Sequence, residues 1–356
     1  MELSQRGALW IIAAGVIAAA LYFLREPLSQ FALALLLWLV IHSLTEGLEK
    51  HLRFVPRWLA LPIAITFVLG LTALVGYVVV DNIGAILGDF GRYEQRLNEV
   101  LAAAHQAVRA PGQPPVVRDL IAHLDPARIA TEIGQSLKNL FSSAIFTLIF
   151  LGFLFSAAAV MPAKLDLIFS DPERRALARD VGERIRVSME RYLWVQTLMS
   201  LVITTLTFIT LAVIGLENAL FWSFLIFFLN YIPTIGSLAA VVLTTAVALV
   251  QFPTLGPVLA VFAGVSVWQF VIGNFVQPRM TGDSLNLSAV VVLLALSIWG
   301  AMWGIIGAFL SAPLTVMLMI VLAQFRSTRW IAILLSEDGK PTPHPALVQK
   351  SESGTI

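Results

Sequence analysis

Long apolar stretches without Asp, Glu, Lys or Arg divide the chain into blocks separated by polar segments. Five of these stretches are each about as long as one membrane-crossing helix, which needs about 20 mostly apolar residues. The last two are long enough for several passes each, so the chain must fold back inside them. In chain order the stretches cover residues 7–24, 27–45, 58–80, 139–163, 192–216, 218–278 and 284–325. This pattern predicts an all-α, polytopic integral membrane protein.

Composition supports the same fold class. Hydrophobic residues make up 58% of the 356 positions and charged residues only 13%, and the mean hydropathy is +0.85. Soluble domains are about 25% charged, so an ordinary soluble enzyme, a disordered chain and a nucleic-acid partner are all excluded. The expected surroundings are a lipid bilayer.

The first apolar stretch has two interpretations. Ala18-Ala19-Ala20 resembles a signal-peptide cleavage site. However, only Arg25 and Glu26 separate this stretch from the next, so a tight helical hairpin is favoured.

Basic residues set the orientation of a membrane protein. With a cytoplasmic N-terminus, 16 of the 23 lysines and arginines face the cytoplasm, including seven within 164–191. We therefore predict that both termini are cytoplasmic and that 81–138 is extracytoplasmic.

Two polar segments show helical spacing of apolar residues. Segment 164–191 contains a helix start at Ser170-Asp171-Pro172-Glu173, which is predicted to begin a cytoplasmic amphipathic helix running directly into the span at 192. Segment 81–138 contains two amphipathic patterns separated by Pro111–Pro115. These helices either lie in the interface or on a neighbouring subunit, or they form a connecting loop.

The two longest apolar stretches are interrupted at polar, Gly- and Pro-containing motifs. Asn230–Gly236 breaks the first, and Trp299–Gly304 breaks the second. We predict two broken or re-entrant helical hairpins, at 218–251 and 284–325, that enter the membrane from opposite sides. Paired interruptions of this kind point to a transport site, although two ordinary kinked helix pairs would give the same pattern.

Uncharged polar and backbone-breaking residues concentrate around these interruptions. They are candidates for solute binding, with interhelical hydrogen bonding as the alternative. The candidates are Asn230, Tyr231, Pro233, Thr234, Gly236, Gln269, Asn274, Gln277, Asn286 and Ser288. The residues expected to shape or pack the second hairpin are Gly300, Gly304, Gly307 and Pro313.

Charged residues at the edges of the last two stretches are candidates for ion coupling. Glu217 and Asp283 are the acids, since neither stretch contains a carboxylate. Arg279 either snorkels to the membrane edge, pairs with Asp283 or meets an anionic solute.

Motifs for other chemistry are absent from the sequence. There is no cysteine, no phosphate-binding loop, no H-E-x-x-H and no G-x-S-x-G. The five histidines lie outside the interrupted region, at 42, 51, 105, 123 and 344. We therefore predict no catalytic residues, no metal site and no cofactor, and hence a protein that is not an enzyme.

Four motifs together resemble the autoinducer-2 exporter family of bacterial membrane proteins. They are YLWVQ at 192–196, NYIPTIG at 230–236, NFVQPR at 274–279 and WGIIGAFLSAPL at 303–314. The resemblance implies a transporter of the bacterial inner membrane with about eight membrane segments. It also implies a homo-oligomer, for which a pentamer is one form. It also implies either export of autoinducer-2 or sodium/proton antiport.

The favoured hypothesis is a secondary transporter that exports small polar solutes. The alternatives are an antiporter of Na⁺ or Li⁺ against protons, a non-transporting scaffold and a channel. The predicted organisation is N-terminal spans at 1–80, an extracytoplasmic segment at 81–138, a span at 139–163, a cytoplasmic helix at 164–191, a transport core at 192–326 and a cytoplasmic tail at 327–356.

Overall fold

The computed structural model describes residues 12, 15–17, 19–51, 56–88, 90–108, 126–281 and 286–341. Throughout these residues the regular structure is helical, apart from one antiparallel bridge between Leu287 and Ser336. Six of the helices are long and apolar enough to cross a membrane. The prediction of an all-α, multi-pass membrane protein is confirmed.

Four helices with defined bounds lie in the described part of the N-terminal half. They are α1 (Arg25–His51), α2 (Arg57–Gly88), α3 (Phe90–Val108) and α4 (Pro126–Ile168). Helix α1 packs between α2 and α4, and its Ala34 and Ile41 share a buried cluster with Ala64, Val68 and Leu151. Small alanines at these contacts allow the helices to approach closely, as is usual in membrane bundles.

Helix α4 is longer than the sequence pattern predicts. Pro126 begins a single helix of 43 residues, so the end of the second amphipathic pattern is continuous with the span at 139–163. The first amphipathic pattern forms α3, as predicted. The Pro111–Pro115 break between the two patterns lies outside the described residues.

Helix α5 (Pro172–Ile214) begins as its sequence predicts. The Asp171 carboxylate caps it by accepting a hydrogen bond from the Glu173 backbone N–H at 3.0 Å, and Pro172 occupies the first turn. The helix runs without a break from the basic segment into the apolar span. It ends at Gly215, whose left-handed backbone (φ 84°) suits glycine.

The first hairpin consists of two short helices, α6 (Ala219–Leu229) and α7 (Ile235–Gln251). Its base is closed by Gln251, which donates to Gly215 O at 2.8 Å and accepts from the Glu217 N–H at 2.7 Å. At about 1.5 Å per residue the 11 residues of α6 span roughly half of a 30 Å hydrocarbon core. At this length α6 alone does not cross the hydrocarbon core, and the prediction of a re-entrant hairpin stays a prediction.

The return from the first hairpin is one long, irregular helix. It consists of α8 (Leu255–Val271), a π-helical turn at Ile272–Val276 and α9 (Gln277–Thr281). Gly264 lets α8 approach α5, because a Cβ atom there would lie 2.6 Å from Thr210 Cγ2.

The second hairpin is α10 (Ala289–Ala323), which is broken at Gly304. Gly304 has φ 64° and ψ −140°, a conformation that is largely restricted to glycine. The arms pack tightly below this break: a Cβ atom at Gly307 would lie 2.6 Å from the carbonyl carbon of Trp299 and closer still to its oxygen. Gly300 faces Ala308, and Pro313 is fully buried.

The C-terminal segment closes the base of the second hairpin. After helix α11 (Arg329–Leu335), Ser288 N–H donates to Leu335 O at 3.2 Å and Glu337 N–H donates to Asn286 O at 3.1 Å. We call residues 336–341 with Asn286 the clasp. The predicted tail at 327–356 therefore begins with α11 and the clasp, which pack against the base of the second hairpin.

Asn286 is the centre of the clasp. Its Nδ2 donates to Asp338 Oδ1 and to Lys340 O, both at 2.8 Å, and its Oδ1 accepts from the Glu337 and Asp338 N–H groups. The hydrogen bonds from the Lys340 N–H and from Asn286 hold the pKa of the Asp338 carboxyl below its usual range. The carboxylate form is therefore retained to lower pH than in an ordinary aspartate, and these bonds weaken once the carboxylate is protonated.

We expect Asn286→Gly to release the clasp. Glycine tolerates the positive φ of 43° at this position but removes all the side-chain bonds, so amide hydrogen exchange at 337–340 should rise at least tenfold. Asn218→Gly is a matched control, because Asn218 also has a positive φ but makes no capping bond. Unchanged exchange in Asn286→Gly would show that the side chain does not hold the segment.

Candidate functional site

A cavity of about 730 Å³ lies between the tip of the first hairpin, α5, the π-helical turn and the base of the second hairpin. Its buried wall includes Tyr192, Gln196 and Gln269, and its exposed rim includes Pro278 and Ala289. Seven of the predicted binding residues line it: Asn230, Pro233, Thr234, Gln269, Asn274, Gln277 and Asn286.

Amide side chains connect three elements at the buried wall. Gln196 on α5 donates through Nε2 to the backbone carbonyl of Asn230 at 2.7 Å. Gln277 of α9 donates to Gln196 Oε1 at 3.1 Å, and Gln269 of α8 donates to Asn230 Oδ1 at 3.1 Å. These bonds hold the hairpin tip against α5 and α8, and they hold α5 against α9.

Asn230 retains one unused donor. Its Nδ2 is buried and has no hydrogen-bond partner among the described residues, although its Oδ1 and its backbone carbonyl are both bonded. A buried amide donor without a partner costs about 1–3 kcal/mol. A solute oxygen in the cavity could accept this hydrogen bond.

The π-helical turn has a local cause in the sequence. Pro278 has no N–H, so it cannot donate to the carbonyl of Asn274 one turn earlier. The Gln277 N–H bonds instead to Ile272 O, five residues back. The Asn274 side chain donates to Phe270 O at 2.9 Å. Such π turns often occur at functional sites.

The tip of the first hairpin is a strained turn. Thr234 has φ 59° and ψ −51°, a conformation that non-glycine residues rarely adopt. Strain of this kind costs roughly 1–3 kcal/mol and persists where the surrounding structure enforces it. Pro233 and Thr234 both face the cavity.

Three predicted binding residues do not line the cavity but shape its surroundings. The Tyr231 hydroxyl lies 2.7 Å from Thr197 Oγ1, and its ring stacks on Phe309 of the second hairpin. Gly236 lies where the two arms of the first hairpin touch. Ser288 caps α10 by accepting from the Val291 N–H at 3.3 Å.

Fourteen of the 21 lining residues were missing from the predicted set, and the polar ones among them are Tyr192, Gln196, Ser237 and Glu337. Gln196 is a polar residue near the start of the apolar stretch 192–216, and it belongs to the YLWVQ motif, so a search for isolated amides in apolar stretches would have found it. Tyr192 belongs to the same motif. Glu337 lies in a polar segment far along the chain, and no sequence signal links it to the cavity.

Of the ion-coupling candidates, Glu217 and Arg279 do not line the cavity. Glu217 is at the base of the first hairpin, where its N–H bonds to Gln251. Arg279 follows the lining residue Pro278 and is exposed. Asp283, and with it any pairing to Arg279, lies outside the described residues.

Comparison with known proteins gives the same family as the motifs. Residues 11–327 match the family described as AI-2E family transporter. The AI-2 transport protein TqsA of Escherichia coli (strain K12) is 30% identical over 333 residues, which cover 91% of this chain and 94% of that protein. A putative transport protein of Haemophilus influenzae (strain ATCC 51907 / DSM 11121 / KW20 / Rd) is 30% identical over 346 residues, which cover 94% and 97%.

A third relative covers about half of each chain. It is a putative transport protein of Borreliella burgdorferi (strain ATCC 35210 / DSM 4680 / CIP 102532 / B31), 36% identical over 183 residues that cover 51% of this chain and 50% of that protein. The resemblance seen in the four motifs is confirmed. The multi-pass membrane protein described here is a transporter and belongs to the AI-2E family.

Proposed function

We propose that this transporter exports small, uncharged polar solutes of the autoinducer-2 type from the cytoplasm, and that the solute binds at the tip of the first hairpin. The observation that carries the proposal is the cavity of about 730 Å³, which is lined by Asn230, a residue whose buried Nδ2 donor has no partner among the described residues. The similar chain of E. coli carries the name AI-2 transport protein.

The chemistry of the cavity suits a polyhydroxylated ligand. Its polar lining consists mostly of side-chain amides, hydroxyls and backbone groups, which both donate and accept hydrogen bonds. The volume lies within the range of about 300–1,000 Å³ that is typical of small-molecule sites. A solute with several hydroxyl groups could pair with Asn230 while its other groups meet the Asn274 and Gln277 side chains.

Movement of the two hairpins would let the solute site open in turn to each side of the membrane. Irregular backbone is tolerated within a membrane where it is buried in protein or lines a cavity, and the first hairpin's tip does line one. With both termini cytoplasmic, the base of the second hairpin and the rim of the cavity face the cytoplasm. We propose that the conformation described here is open to that side.

Uptake into everted inner-membrane vesicles tests the proposal. Vesicles from cells without other autoinducer-2 exporters should accumulate labelled autoinducer-2 when they contain this protein. Asn230→Leu should reduce uptake at least tenfold, because it removes both the free donor and the bond to Gln269. Ser297→Leu is a control, because the Ser297 side chain is exposed and bonds only to Leu293 O in its own helix.

Two other outcomes would overturn this function. A pH-sensitive dye in the same vesicles reports proton movement when sodium or lithium is added. A cation-dependent signal that Glu217→Gln or Asp283→Asn abolishes would establish an antiporter instead. Normal assembly without solute or cation flux would indicate a scaffold.

Assembly is a further part of the proposal. The resemblance implies a homo-oligomer of the inner membrane, with a pentamer as the expected form. Many large apolar side chains of α2 and α4 are exposed in the single chain, among them Phe67, Leu74, Ile145 and Phe153. Lipid or neighbouring subunits must cover such surfaces, and native mass spectrometry would count the subunits.

A further inference from the structure

Glu337 brings a carboxylate to the rim of the cavity. The residue lines the cavity although it lies in the clasp, far along the chain from the hairpin tip. Its backbone is fixed, since its N–H donates to Asn286 O at 3.1 Å and to Asn286 Oδ1 at 3.2 Å. Within the described part of the chain, no hydrogen bond or ion pair engages its carboxylate.

This carboxylate is the one formal charge among the side chains that line the cavity in the described residues. Its charged neighbours Asp338 and Lys340 do not line the cavity. The Asp338 carboxylate is turned to the clasp, where it accepts from Asn286 Nδ2 and from the Lys340 N–H. Arg279 is exposed beyond the rim residue Pro278 and does not line the cavity either.

We propose that Glu337 determines the charge selectivity of the cavity, favouring cationic and neutral solutes over anionic ones. This inference concerns the site of the proposed function but does not depend on transport. A unit charge roughly 10 Å from a monovalent ion in water changes its local concentration about twofold. Opposite effects on a cation and an anion give about a fourfold preference. A singly charged carboxylated analogue of a polar solute is thereby disfavoured about twofold relative to the neutral solute, and a phosphorylated analogue with more charge is disfavoured further.

The absence of cysteine from the sequence makes a direct test possible. Ser237→Cys places a single thiol in the cavity lining. The purified full-length protein, in an uncharged detergent, is treated with either a trimethylammonium-ethyl or a sulfonatoethyl methanethiosulfonate. The thiolate attacks the reagent's sulfenyl sulfur, forms a mixed disulfide and releases methanesulfinate. The ratio of the two rates reports the potential inside the cavity.

We expect Glu337→Gln to lower the cation-to-anion rate ratio about fourfold, and Glu337→Lys to lower it about fourfold again. Asp338→Asn should change it much less, since Asp338 does not face the cavity. Ser170→Cys, an exposed thiol remote from the cavity, should show no dependence on residue 337. Ala289→Cys on the rim is a second reporter if Ser237→Cys does not fold.

An unchanged ratio in Glu337→Gln, with a reactive thiol, would overturn the proposal. An equal decrease of the rate ratio in Asp338→Asn would also overturn it, because the ratio would then depend on the charge of the whole segment and not on Glu337. Since labelling requires no solute flux, a negative result here leaves the transport proposal standing, and an absence of transport leaves the charge selectivity testable.

Discussion

Gly236→Ala is expected to reduce autoinducer-2 uptake at least tenfold and to destabilise the folded protein. A Cβ atom at this position would lie 2.5 Å from the carbonyl carbon of Leu229 and closer still to its oxygen. Atoms in contact normally lie at about 3.5–4 Å, so one arm of the first hairpin must move by about 1 Å. That movement displaces Asn230 and Thr234, which lie in the turn between the arms.

Two measurements separate folding from function. Overpacking of a tight contact costs roughly 1–3 kcal/mol, which thermal unfolding in detergent would detect. Displacement of binding groups by about 1 Å can cost up to a hundredfold in a rate that depends on their geometry, and uptake per folded molecule would reveal that loss.

Gly256→Ala is the matched control for Gly236→Ala. No atom lies within 4 Å of a Cβ at Gly256, so both uptake and stability should stay close to the original. If Gly236→Ala and Gly256→Ala showed the same uptake and the same thermal stability, the arms of the first hairpin would not touch at Gly236.

The two arms of each hairpin make the same kind of close contact. In each, a glycine of the returning arm lies against a backbone carbonyl of the outgoing arm: Gly236 against Leu229, and Gly307 against Trp299. Without a hydrophobic driving force between helices in lipid, such close packing is a main source of association. The base of the first hairpin is closed by Gln251, and the base of the second hairpin is closed by the clasp.

The sequence predicted these features where they depend on local chemistry. Proline and glycine within a short polar motif favour a helix break, so the breaks at Pro233 and Gly304 could be located from the sequence. The start of α5 at Asp171 and Pro172 was predictable for the same reason. Seven of the ten predicted binding residues also line one cavity, and their part in solute binding stays a prediction.

Features that depend on contacts between distant segments were not predictable. Nothing local to Glu337 indicates that it lies beside Asn286, since the pairing requires the second hairpin to fold back. The continuity of α4 was missed because a change from amphipathic to apolar spacing does not interrupt a helix. The π-helical turn before Pro278 follows from a missing N–H, but many helices accommodate proline with a simple kink instead.

Gln196→Met is expected to cause the second large loss of uptake, again at least tenfold. Methionine keeps the length of the side chain but makes neither bond, so the Asn230 carbonyl and Gln277 Nε2 both lose their partner. Each buried group left unpaired costs about 1–3 kcal/mol. The hairpin tip then keeps only the Tyr231–Thr197 hydrogen bond to α5 and the bond from Gln269.

A double variant distinguishes this connection from simple loss of packing. In Gln196→Met with Gln277→Met, the Gln277 amide is no longer left unpaired, so the double variant should be less destabilised than the sum of the two single variants. A coupling of about 0.5–3 kcal/mol is usual for residues that share a hydrogen bond. Gln324→Met is the control, because Gln324 bonds only to Ile320 O in its own helix. Strict additivity together with normal uptake in Gln196→Met would mean that the tip is positioned by packing alone, and Tyr231 on Phe309 would then be the contact to change next.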